Sequence, residues 1–304
     1  MLKHGFLITA HAYFPQLERI IALLTSSNHY FFINIDKKAI DGDGFMRYCK
    51  QEYSHVFFLE GNARMEVAHG GYTQVECFIR LLKYASQNDM DYFHFISGQD
   101  YPCRPNDDFD NFFEKNVGRS YMHFDNEQEG KEWQKEKYLL RVKPYWFNDI
   151  PHRDYSIVNY MVKILNKVSH HFLWRKDIPN LWGGWNWVSW HKTVVNYVLT
   201  QERDNLHFFN RFHHTICCDE LIFVTMLRPV AEKLNIETNN SLRYINWTKK
   251  ADGRSSQPSP LILNEEEYED IIKSGAFFCR KIHPKVSSKL IDLLEKNVKA
   301  VGNK

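Results

Sequence analysis

The chain has 304 residues, 43% hydrophobic and 25% charged, enough to bury a large core as one big domain or two closely joined ones. Its 39 Lys and Arg nearly balance 37 Asp and Glu, so a net charge of +2 leaves no bulk electrostatic case for nucleic acid. No apolar run reaches membrane-spanning length and the N-terminal run is too short for a signal peptide, so a cytoplasmic location is expected, with at most peripheral membrane contact.

Gly5–Ala10 reads as a short buried strand, and Pro15–Leu24 as a helix with Leu17, Ile20, Ile21 and Leu24 on one stripe. Tyr30–Ile35 is a second strand, ending at Asp36, and Val56–Leu59 a third. Gly70-Gly71-Tyr72 opens a helix running through Ala85. Tyr92–Ile96 is a fourth strand, ending in Ser97-Gly98-Gln99-Asp100-Tyr101-Pro102. Strands alternating with helices imply an α/β fold, a mostly parallel Rossmann-like sheet flanked by helices. Such sheets bind ligands beyond the carboxyl ends of their strands. Asp36 and the Ser97–Asp100 loop both fall there and point to a nucleotide crevice.

Asn106–Lys143 is polar and is read as surface loops and helices. Tyr145–Trp174 mixes aromatic and basic residues around a helix at Ile157–Val168. Trp182–Trp190 then places four tryptophans in nine residues, either a flat stacking surface or a buried aromatic strand. At Thr215–Leu227, Asp219 and Glu220 stand where a His-rich approach meets an apolar run. Read as a helix start, the two acids either cap free N–H groups and complement the dipole, or one is a fixed general base. Ser241–Trp247 is a further strand, Arg254–Pro260 a Ser/Pro-rich loop and Glu265–Ser274 an acidic helix. An amphipathic helix at about Ser287–Val298 ends in a basic tail. The six cysteines are scattered without a Cys-x-x-Cys pair, which fits reduced thiols better than zinc or disulfides.

Taken together, Ile33-Asn34-Ile35-Asp36, His69-Gly70-Gly71, Ser97–Pro102, Gly183-Gly184-Trp185-Asn186-Trp187, Asp219-Glu220 and Arg280-Lys281 resemble the landmarks of one family. It is that of the core-2/I-branching β-1,6-N-acetylglucosaminyltransferases and peptide O-xylosyltransferases, and the likeness extends over nearly the whole chain. The resemblance implies a single GT-A-type glycosyltransferase domain over 1–304, with about 1–105 as the nucleotide-sugar half and about 106–304 as the acceptor and catalytic half. It implies an inverting transfer from a UDP-sugar, best guessed as UDP-GlcNAc, to a glycan or lipid-linked oligosaccharide. Glu220 takes the base position, and Arg280 and Lys281 the diphosphate-binding positions. Asp36 and Asp100 line the nucleotide side, and Trp185, Asn186, Trp187 and Asp219 the acceptor side.

The family characteristically works without metal, so no metal or other cofactor is expected despite Asp41-Gly42-Asp43, Asp89-Met90-Asp91 and Asp108-Phe109-Asp110. Two positions depart from the family pattern: His69 replaces a frequent Trp, and Asn186 replaces the Asp of xylosyltransferase-like members. The missing anchor, stem and disulfides of animal members fit a bacterial enzyme of surface-polysaccharide assembly. The alternatives are a non-catalytic carbohydrate-binding or degenerate transferase domain, a xylosyl- or glucuronosyltransferase, and a metal-dependent nucleotide-sugar hydrolase.

Overall fold

The structure, a computed structural model, describes residues 1–125, 138–150, 156–176, 178, 180–247 and 260–301. Strands β1 (His4–Ala10), β2 (His29–Ile35), β3 (Val56–Phe58) and β4 (Tyr92–Ser97) pair in parallel, close to the ranges their apolar runs predict. Beyond β4 lie β7 (Ser189–His191), β6 (Ser120–Tyr121) and β8 (Ile236–Glu237), completing a seven-stranded sheet ordered β3-β2-β1-β4-β7-β6-β8. Strand β7 is antiparallel to both its neighbours, and the other six share one direction.

Successive strand residues point to opposite faces, and here both faces are covered. Leu7, Phe32, Phe93 and Phe95 join one core with helix α3 (Thr73–Ser86) and the helices Lys192–Asp204 and Ile222–Leu227. Phe6, Ile8, Phe31 and Ile33 join the other with α1 (Phe14–Leu24), α2 (Gly42–Glu52), α4 (Asn106–Lys115) and the terminal helix Ser288–Val301. Helix α2 is not evident from the sequence, because Gly42, Asp43 and Gly44 argue against a helix. Phe45, Met46 and Cys49 nonetheless bury one side of it. Nor is the helix Lys192–Asp204 evident, since its Val194, Val195 and Val198 are weak helix formers held by packing.

A smaller three-stranded sheet joins segments far apart in the sequence. Strand β10 (Phe278–Arg280) is antiparallel to β5 (Tyr101–Pro102) and parallel to β9 (Arg243–Ile245). The strand read at Ser241–Trp247 is thus three residues long. The Ser/Pro-rich loop lies, apart from Pro260, outside the described residues. Among the described residues no helix is long and apolar enough to cross a membrane.

Candidate active site

The Asp219-Glu220 stretch is not a capped helix start. Cys218–Glu220 forms a single 3-10 turn entered through Cys217 at φ 49°, and the helix begins only at Ile222, with no side-chain cap. The reason lies in long-range bonds. The Cys217 N–H donates to Gly70 O at 2.8 Å, and the Glu220 carbonyl accepts from the Gly184 N–H at 3.0 Å. The turn is therefore pinned on two sides, and the wholly buried Ile222–Leu227 anchors it from behind. Gly184 is obligatory here, because a Cβ would stand 2.2 Å from His123 O, a backbone atom that cannot swing aside.

The two acids sit in different surroundings. The Glu220 side chain is 40% exposed and its Oε2 accepts from Arg141 Nη1 at 2.5 Å. Burial opposes the charge on Arg141, but Glu220 more than offsets it and holds the guanidinium above its ordinary range. Asp219 is buried and accepts a hydrogen bond from Asn186 Nδ2. Burial first, and then the neighbouring charge of Glu220, push its carboxyl up to about 7. Asp219 is thus a carboxyl that retains a proton toward neutrality, while Glu220 presents Oε1 with no hydrogen bond among the described residues.

The folded chain holds a proton on Asp219 that the unfolded chain releases at about pH 4. Its contribution to stability is present below that value and is lost as the pH rises through about 7. Asp219→Asn is expected to flatten this slope, raising the melting temperature relative to the parent more at about pH 8 than at about pH 5. An equal difference at both pH values would mean that Asp219 titrates normally.

At the end of β4, Asp100 is fully buried. Its Oδ2 accepts from Ser97 N at 2.7 Å, Ser97 Oγ at 2.6 Å and Arg280 Nη1 at 2.9 Å. Arg280 in turn lies over the Trp187 ring, its guanidinium carbon 3.7 Å from the centroid, and Trp187 stacks on Phe95. The Arg280 side chain is 10% exposed, so its charge is partly spent on Asp100 and on the ring face. Lys281 is the less committed cation. It is half-buried, with no carboxylate in ion-pairing reach among the described residues, and burial followed by Arg280 lowers its proton affinity. Asp100 thus acts on Arg280 from beneath and presents no surface of its own.

Asp36 sits at the end of β2, as read from the sequence. It is buried, and its two oxygens accept from Lys38 N at 2.8 Å and Val67 N at 2.9 Å. The aromatic run divides residue by residue between the two readings. Trp190 is fully buried on β7, and Trp182 packs on the core with Arg228 over its ring. Trp185 is partly exposed, between His123 at 4.3 Å and Trp247 at 6.0 Å between centroids. Consecutive residues then join the two clusters, Asn186 reaching Asp219 and Trp187 supporting Arg280.

Arg141 is the site residue that the sequence does not disclose. It stands in the helical stretch 138–142, amid a charge-rich segment where no spacing distinguishes it. Asp149 is a second. It accepts from Tyr72 N at 2.9 Å and Thr73 N at 3.0 Å, so it caps α3 from a distant segment.

The three Asp-x-Asp strings are each drawn into other contacts. Asp43 pairs with Arg64, Asp91 with Lys192, and Asp110 with His29. Among the described residues, His4, His29 and Asp110 bring potential metal-ligating atoms within 4.8 Å of one another. They lie on β1, β2 and α4, where the two histidines begin their strands, at the opposite end from Asp36 and Ser97.

An α/β sheet with basic residues and a presented carboxylate near its strand ends defines a candidate nucleotide-sugar site. The family profile described as Core-2/I-Branching enzyme matches residues 5–272, and the chain belongs to that family. Among curated proteins it is similar to Xylosyltransferase 2 of Rattus norvegicus, 22% identical over 92% of this chain and 32% of that one. It is 20% identical to Xylosyltransferase sqv-6 of Caenorhabditis briggsae over 92% of this chain and 34% of the relative, and 21% identical to human Xylosyltransferase 2 over 92% and 32%. The chain thus spans about a third of the length of these relatives.

Proposed function

We propose that the chain is an inverting, metal-independent glycosyltransferase that moves a sugar, best read as GlcNAc, from a UDP-sugar to a hydroxyl of a glycan or lipid-linked oligosaccharide in bacterial surface-polysaccharide synthesis. The observation that carries this reading is the pairing of Glu220, exposed and fixed by Arg141, with a turn joined through Asn186-Trp187 to the Arg280–Lys281 cations. Glu220 Oε1 takes the proton of the acceptor hydroxyl as that oxygen attacks C1 of the donor. The C1–O bond to UDP breaks, and its electron pair leaves on the β-phosphate oxygen. Lys281, with Arg280 behind it, meets the developing charge where a metal would otherwise act. Arg141 orients the base by holding Oε2. Trp185 offers a partly exposed ring to the apolar face of an acceptor sugar, and Asn186 a fixed amide beside it.

Thermal-shift measurements against a UDP-sugar panel, followed by transfer assays with and without EDTA, test the reading. The expected result is UDP-dependent stabilisation, and turnover that survives EDTA. Strict dependence on Mn²⁺ or Mg²⁺ would overturn the metal-free mechanism. Lys281→Ala is expected to weaken UDP binding by about 1.5–3 kcal/mol, the range for a hydrogen bond to a charged group, with little loss of stability. Xylosyl transfer is the second reading, favoured by the names of the relatives. Selective stabilisation by UDP-xylose over UDP-GlcNAc would select it.

A further inference from the structure

The helix Ile157–Phe172 is built inside out. Its inward positions are largely polar: Ser169 Oγ accepts from Tyr145 N at 2.7 Å and Asn166 Oδ1 from Phe147 N at 2.8 Å, with Asn159 buried beside Val162. Its outward positions are apolar, with Ile157 80% exposed, Tyr160 68%, Met161 56% and Phe172 79%, and with Ile164 and Val168 completing the stripe. These fall at i, i+3, i+4, i+7, i+11 and i+15, one continuous side of a helix. Ser156 caps the helix by accepting from Asn159 N at 3.1 Å, and Trp174, 57% exposed, extends the apolar surface past its end. Water is a poor neighbour for so much contiguous apolar surface.

The charges around it say what covers it. Residues 156–176 contain Lys163, Lys167, Arg175 and Lys176 and no Asp or Glu. Lys163, Lys167 and Lys176 are exposed beside the apolar stripe. A second copy would bring like charges together, whereas an anionic lipid surface satisfies both features at once. At 16 residues the helix is about 24 Å long, suited to lying in an interface and short of crossing one.

We infer that Ile157–Phe172 seats the protein on an anionic membrane surface. The apolar stripe enters the boundary between headgroups and acyl chains, and the lysines contact the headgroups. The inference stands apart from the glycosyl-transfer reading and is tested without it. The helix packs on residues 145–147 through Asn166 and Ser169, on the side away from its apolar stripe.

Co-sedimentation of the full chain with vesicles tests this directly. Binding is expected to vesicles containing phosphatidylglycerol and to be lost on phosphatidylcholine alone or at high salt. Lys163→Gln with Lys167→Gln is expected to lower partitioning about 25-fold, fivefold for each charge removed, and Ile164→Asp with Phe172→Asp to abolish it. All four positions are exposed, so melting temperature and UDP binding should be unchanged in both variants. Loss of UDP binding in the parent chain would count against the transferase reading alone. Failure to bind any vesicle, or equal binding to neutral ones, would overturn the membrane inference. So would a concentration-dependent dimer that Ile164→Asp dissociates, which would assign this face to a second copy.

Discussion

Glu220→Gln is expected to lower kcat by ~10²–10⁴-fold while leaving UDP affinity near that of the parent, the signature of a lost general base. The amide keeps the size of the side chain, and the backbone bond from Gly184 is untouched. What disappears is the proton-accepting oxygen, together with the anionic partner of Arg141. Some stability should be lost as well, because Arg141 is only 17% exposed and gives up its anionic partner, although the Gln amide oxygen can still accept its hydrogen bond. Removal of the Glu220 charge also relieves Asp219, whose neighbour it was. The comparison that decides the assignment is Asp219→Asn. Asp219 is buried and tends to hold its proton, so that change should cost far less turnover. Near-normal turnover of Glu220→Gln, or a larger loss in Asp219→Asn, would move the base to the other acid.

Arg280→Ala is expected to be the more damaging substitution for the fold, costing about 3–5 kcal/mol, as when one partner of a buried ion pair is removed. Asp100 is fully buried, and without Arg280 its carboxylate retains only the two Ser97 donors. The contact with the face of Trp187 is lost as well. Adding Asp100→Asn should restore much of the stability, since the stranded charge goes with it, but should not restore UDP binding. Denaturant melts of the two singles and the double give the coupling energy. Additive losses would mean that the pair contributes little and that Asp100 is stabilised by Ser97 alone.

The parallel half of the fold was legible because its information is local. β1, β2 and β4 are short apolar runs, and α1 and α3 carry helical stripes that read correctly to within a residue or two at most ends. The parts of the site that escaped depend on distant partners. Nothing around Arg141 indicates that it reaches Glu220, 79 residues on, and nothing around Asp149 indicates that it caps α3. The tryptophan run defeated pattern reading for a different reason. Trp185 and Trp190 are the same residue type in one extended segment, and only the position of β7 separates a partly exposed ring from a piece of core. The helix reading of Asp219-Glu220 failed because a turn pinned by Gly70 and Gly184 competes with local capping and wins.

The closing of β10 on β5 has a consequence for how the protein is made. Asp100 and Arg280 are 180 residues apart, and among the described residues the Tyr101–Pro102 strand pairs with Phe278–Cys279 alone. The terminal helix adds to this hold, with Glu295 accepting from Tyr101 Oη at 2.7 Å and Asn297 donating to Cys103 O at 2.9 Å. At ribosomal rates of about 5–20 residues per second, the nascent chain waits roughly ten to forty seconds between emergence of the acid and of its arginine. Through that interval β1, β2 and β4 can already pair, while the loop after β4 keeps an open edge and a charge without its partner. Closure of the Ser97–Cys103 stretch therefore waits on Phe278–Arg280 and on the helix Ser288–Val301 that reinforces it.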